Sequence, residues 1–219
     1  MYTVSFSCNN KSKRSFTMRY LHKARICSGI IASSLIIGVL PATAYAAPVE
    51  TSLSCSIDAG RYGKTVQETK TTFNVTLPEK VTKGETFTAK VKLSDVSLHN
   101  NSLNRVGSVK MEKSTININV GNNVELAGNQ PGVALSNGIL KLSNKLVASI
   151  SHGTLTTSVP ELSIKLQATD EKPVVFKTVK DATSGTVRAY VFIFSATATS
   201  SCTTTPDVQL ASATVTPKG

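Results

Sequence analysis

Phe87-Thr88-Ala89-Lys90-Val91-Lys92-Leu93 decides the fold of this 219-residue chain. Apolar side chains alternate strictly with Thr and Lys, a period of two. An extended strand sends successive side chains to opposite faces. The stretch therefore turns Phe87, Ala89, Val91 and Leu93 into a core and leaves Thr88, Lys90 and Lys92 in water. The same pattern recurs on either side. Phe73, Val75 and Leu77 alternate with Asn74 and Thr76, and Ile116, Ile118 and Val120 with Asn117 and Asn119. Leu162, Ile164, Leu166 and Ala168 alternate with Ser163, Lys165 and Gln167. Thr is frequent at the polar positions, where it supports strand geometry and stays soluble. No long segment has the spacing of an amphipathic helix.

Turn chemistry separates these runs. Pro78 and Gly84 mark the connection between the first two. Asn137-Gly138, between Val133-Ala134-Leu135 and Ile139-Leu140-Lys141-Leu142, is a two-residue hairpin signal. Asp170-Glu171-Lys172-Pro173 and Asp181-Ala182-Thr183-Ser184-Gly185 are read as two more turns, and Leu98-His99-Asn100-Asn101-Ser102 as a polar loop. Val187-Arg188-Ala189-Tyr190-Val191-Phe192-Ile193-Phe194 is apolar on both faces and predicts a central strand buried on both sides, or one covered by a neighbouring segment. A last strand is expected around residues 208–215. Short strands with turns about every ten residues define an all-β fold, an antiparallel β-sandwich.

Three segments carry a resemblance. Ser52-Leu53-Ser54-Cys55, Phe73-Asn74-Val75-Thr76-Leu77-Pro78 and Val81-Thr82-Lys83-Gly84-Glu85-Thr86-Phe87, with a late cysteine at Cys202, resemble small secreted Ig-like β-sandwich proteins of Gram-positive bacteria, notably actinobacteria. The resemblance spans about a third of residues 47–219 and implies an Ig-like sandwich more than an activity. The chain has no Trp, so the residue that packs on the disulfide in antibody domains is missing.

The first 46 residues read as a secretory signal. Lys11, Lys13, Arg14, Arg19, Lys23 and Arg25 form a basic leader without acidic residues. An apolar run over residues 30–40 follows, then Pro41, then Ala44-Tyr45-Ala46 as the small-x-small pattern before Ala47. The run is shorter than the roughly 20 residues of a membrane span. Met18 offers a second start with a leader of ordinary proportions. The expected organisation is a cleaved signal over 1–46 and a single sandwich domain over 47–219. No later apolar span or sorting motif is read in the sequence, so no stable membrane span is expected after cleavage. The protein is expected to be secreted or loosely associated with the cell envelope.

Removing the leader changes the charge and the cysteine count. It takes six of the 24 basic residues and none of the 13 acidic ones, which lowers the net charge from +11 to +5. The remaining lysines alternate with apolar residues, without an aromatic-interleaved basic patch, so nucleic acid is not an expected partner. Cys8 and Cys27 leave with the leader. Cys55 and Cys202 remain, and an even pair in an exported chain is expected to be oxidised.

No constellation points to catalysis. His99 and His152 stand apart beside turn residues, and no His, Asp and Glu cluster has metal-ligand spacing. Asp58, Glu68, Glu125, Glu161 and Asp207 are the carboxylates that folding would have to pair for glycosidase chemistry. There is no Gly-x-Ser-x-Gly elbow, phosphate loop or dinucleotide fingerprint. No cofactor or metal is expected. The first functional expectation is a non-enzymatic extracellular binding or interaction protein with an unidentified extracellular or envelope partner. A membrane-active or self-assembling β protein is the alternative, motivated by Ser/Thr-rich alternating segments such as residues 154–168. An unrecognised secreted hydrolase is the third.

Overall fold

A crowd of alternating residues becomes fifteen strands and two short 3-10 turns in the computed structural model, which describes residues 43–45, 47–99 and 101–219. The strands are β1 (Thr43–Tyr45), β2 (Val49–Asp58), β3 (Lys64–Pro78), β4 (Lys80–Thr82), β5 (Thr86–His99), β6 (Ser108–Asn119), β7 (Val124–Leu126) and β8 (Val133–Ser136). They continue as β9 (Ile139–Ser143), β10 (Val147–Ser151), β11 (Thr154–Ala168), β12 (Val174–Lys177), β13 (Asp181–Val191), β14 (Phe194–Thr204) and β15 (Gln209–Thr216). The 3-10 turns are Gly60–Tyr62 and Asn101–Arg105.

All fifteen strands belong to one sheet, ordered β10-β11-β5-β3-β2-β14-β13-β6-β12-β15-β4 along its main path. Every pairing is antiparallel except β4 with β15. The path bends back on itself. The Asn144 N–H donates to the Ser114 carbonyl at 2.8 Å, and the Leu146 N–H donates to Ser114 Oγ at 3.1 Å. These bonds tie the chain entering β10 to β6, so the first eight strands of the path form a ring. Long strands extend out of the ring into a second, sandwich-like region, where β9, β12, β15 and β4 cover them.

The two regions differ in what points inward. In the sandwich region the apolar members of each alternation are buried: Phe73, Val75 and Leu77 on β3, Ala89, Val91 and Leu93 on β5, Ile116 and Ile118 on β6, and Ile164 and Leu166 on β11. Leu140, Leu142, Val174, Phe176 and Leu210 close this core. In the ring the alternation persists, but on β3 small or polar residues take the inward places. Thr65, Gln67, Thr69 and Thr71 do so while Val66 faces out. Side chains this short do not fill an eight-stranded ring, whose interior is just wide enough to be filled by bulky residues or to hold a small ligand.

The Asn137-Gly138 hairpin is present, with φ of 51° and 72° and Ser136 paired to Ile139. The Asp170–Pro173 turn is present as well, capped by the Lys172 N–H donating to Asp170 Oδ1 at 2.8 Å. The expected turn at Asp181–Gly185 is instead the start of β13. Gly185 is there because the sheet is tight: a Cβ at that position would sit 3.4 Å from both the Lys113 carbonyl and Met111 Sδ. The expected polar loop is split between the end of β5 at His99 and the 3-10 turn from Asn101, with Asn100 outside the described residues. The expected buried central strand at Val187–Phe194 is also corrected. Val187–Val191 ends β13, Phe194 opens β14, and Phe192 and Ile193 form the hairpin tip between them.

Candidate functional site

The ring encloses a cavity of about 320 Å³. That lies at the lower end of the range of about 300–1,000 Å³ typical of small-molecule sites. Its wall is drawn from β2, β3, β5, β6, β10, β11, β13 and β14, with Leu103 of the second 3-10 turn at one end. Ile57, Val96, Met111, Ile150, Leu155 and Val187 are among its apolar lining residues and are half-buried, unlike the sealed sandwich core. Thr and Ser hydroxyls line the remainder, including Ser97, Thr157 and Thr199. Among the described residues, no lining side chain is ionisable or aromatic.

The disulfide belongs to this wall. Cys55 on β2 and Cys202 on β14 are directly opposite in register, with Cα atoms 4.0 Å apart. Both line the cavity, packed with Leu53 and Ala182. The bridge that cysteine arithmetic predicts is thus a rung between neighbouring strands of the ring. Of the expected cleavage pattern, Ala44 is opposite Leu77 in β1 and Ala47 is exposed, while Ala46 and the leader through residue 42 lie outside the described residues.

One end of the ring gathers several features. The 3-10 turn Gly60–Tyr62, the end of β5 at His99, the His152-Gly153 turn and the β13–β14 tip all lie there by strand register. Asp58 accepts from the Gly60 N–H at 2.8 Å and pairs with Lys64 at 2.9 Å. The Lys64 ammonium, and secondarily that N–H, holds the Asp58 carboxyl below its usual value. His99 Nδ1 shares a hydrogen bond with Thr154 Oγ1 at 3.1 Å, and His152 Nδ1 one with Ser151 Oγ at 2.9 Å. Each histidine is occupied by a neighbouring hydroxyl and neither lines the cavity.

The five carboxylates are dispersed rather than paired with one another. Glu161 pairs with Lys90 at 3.1 Å and Asp207 with Lys177 at 4.0 Å, while Glu68 and Glu125 are exposed on β3 and β7. Among the described residues no group of three or more His, Cys, Asp or Glu is placed to hold a metal ion. A second depression, lined by Lys83, Gly84, Glu125, Gln167, Glu171 and Lys218, is open to solvent and mixes both signs of charge.

The cavity residues on β3 escape the alternation, because Thr65, Gln67, Thr69 and Thr71 look like a solvent face. The available signal was their neighbour: Val66 on the opposite face is 67% exposed, an inversion of the usual pattern.

Fold and site together define an all-β protein with an aliphatic, uncharged cavity walled by a disulfide-bridged ring of strands. The chain belongs to the DIP2116-like family, matching that family's N-terminal domain over residues 52–214. A crystal structure of a Corynebacterium diphtheriae protein described as membrane anchored is 34% identical, with a TM-score of 0.73. The match covers 79% of this chain and 38% of that one, so this chain corresponds to well under half of its relative. No curated protein matches.

Proposed function

We propose that this protein is a non-enzymatic extracellular or envelope-associated binding protein whose ring holds an uncharged aliphatic chain, such as the acyl tail of a lipid. The observation that carries this reading is the composition of the cavity wall. A charged ligand group would find no counter-ion there, and burying it unpaired would be costly. A sugar or planar ring would find no aromatic platform among the described lining residues. An alkyl chain asks only for apolar surface, at about 0.8 kcal/mol per buried methylene, and the wall's hydroxyls can receive an ester or amide near its head. The chain is read as exported after loss of residues 1–46, in keeping with the Cys55–Cys202 bridge and with a relative described as membrane anchored. The Ig-like resemblance is consistent with the sandwich region, and on this reading the ring is the functional addition to it.

The test is titration of the purified protein with a fluorescent long-chain fatty acid. Saturable binding is expected. Ala198 lines the cavity, so Ala198→Phe should occupy the space an alkyl chain needs and weaken binding by about tenfold or more. Absence of binding, or equal binding by a folded Ala198→Phe variant, would reject the reading.

A further inference from the structure

We propose that the β13–β14 hairpin is a docking finger for an anionic lipid bilayer. Its tip exposes three consecutive large apolar side chains: Phe192 is 95%, Ile193 90% and Phe194 70% exposed. A soluble surface tolerates single exposed apolar residues, but a contiguous cluster on a protruding tip marks an interaction site. The turn itself argues against accident. Val191 pairs with Phe194, leaving Phe192-Ile193 as a two-residue loop, and Phe192 takes a φ of 53°. A bulky side chain is a poor fit to that conformation. The chain uses suitable residues in its other two-residue hairpins, Asn137-Gly138 and His152-Gly153. At the β13–β14 tip, turn chemistry has given way to apolar exposure.

Charge selects the occupant. Three of the segments that build this end of the ring, residues 96–110, 144–160 and 182–206, contain no Asp or Glu, and Asp58 beside the Gly60–Tyr62 turn is paired with Lys64 at 2.9 Å. Arg105 and Lys110 are exposed beside the hairpin, where the Gly107 N–H donates to the Tyr190 carbonyl at 2.9 Å and Lys110 is opposite Arg188. Arg188 is held by Glu112 at 2.6 Å. An apolar tip flanked by cations fits an acyl–headgroup boundary bearing negative charge. Two copies meeting tip to tip would bring the same cations together. The finger's base is also the cavity wall, since Ala189 and Ala198 line the cavity. A docked tip would therefore place the cavity against the bilayer.

Because the chain has no Trp, Phe192→Trp places its single tryptophan at the tip, to be excited apart from the five tyrosines. The experiment mixes this variant with phosphatidylcholine vesicles with and without phosphatidylglycerol, and follows emission and flotation. A blue shift and flotation are expected with the anionic vesicles, weakening as salt rises. The triple variant Phe192→Ser, Ile193→Ser, Phe194→Ser should lose flotation by at least about tenfold. Equal flotation of the triple variant, flotation of neither, release of a trapped dye, or a dimer dispersed by the same substitutions would overturn the proposal. Ala198→Phe separates this inference from the ligand reading: it should float like the unaltered protein while losing fatty acid.

Discussion

Phe192 shows the tension at the scale of one residue. Its φ of 53° is ordinary for glycine and strained for a phenylalanine. The left-handed conformation costs an L-residue roughly 1–2 kcal/mol. Because its side chain is almost wholly exposed, Phe192 recovers nothing by packing within the chain. Phe192→Gly is therefore expected to leave folding stability unchanged or to raise it by up to about 1 kcal/mol in chemical denaturation. A loss of stability beyond about 1 kcal/mol would mean that the ring packs against it. Few substitutions of an aromatic residue carry that expected sign.

Elements in the sandwich and in the ring share one alternation but meet different energetics. Phe176 on β12 is fully buried in the sealed core, whereas Val187 on β13 is half-buried on the cavity wall. Phe176→Ala should cost about 3–5 kcal/mol, the transfer loss plus the void it leaves. Val187→Ala enlarges a space that already exists, and should cost less than about 1.5 kcal/mol. Comparable losses at the two positions in urea denaturation would show that the ring is packed as tightly as the sandwich. The same contrast explains what was legible in the sequence. The alternation assigns Phe73, Val75, Leu77, Phe87, Ala89, Val91 and Leu93 to a core, and all seven are buried. In the ring, Thr and Ser occupy both faces of β13 near Asp181–Gly185, so period two vanishes and the segment reads as a turn. At Val187–Phe194 apolar residues occupy both faces, and hydropathy alone assigns them to the interior. It records that water is unfavourable for these side chains, not whether the alternative is the same chain or something outside it. The cavity was hidden for a third reason: eight strands contribute to it, and no single stretch carries its outline.

For the whole molecule, the rung between β2 and β14 carries the largest stability expectation. Cys55 and Cys202 are 147 residues apart in sequence. In the chain-entropy account, a loop of that length gives roughly 5 kcal/mol, as an upper figure. Cys55→Ser with Cys202→Ser should lower stability by about 2–5 kcal/mol, measured by thermal or chemical unfolding. A loss below about 1 kcal/mol would mean that β2 and β14 are held together without the bridge. The same connectivity constrains the order of assembly. Hairpins such as β2–β3 and β10–β11 pair residues close in sequence and can form as soon as both strands exist. The seam between β2 and β14 joins nearly opposite ends of the described fold. A chain emerging from its N-terminus must keep the β2 edge open until β14 arrives, so during synthesis the ring is an unclosed gutter with an adhesive rim. The protein's most vulnerable interval for mispairing or aggregation is thus its own emergence, and it ends only when nearly the whole chain is available.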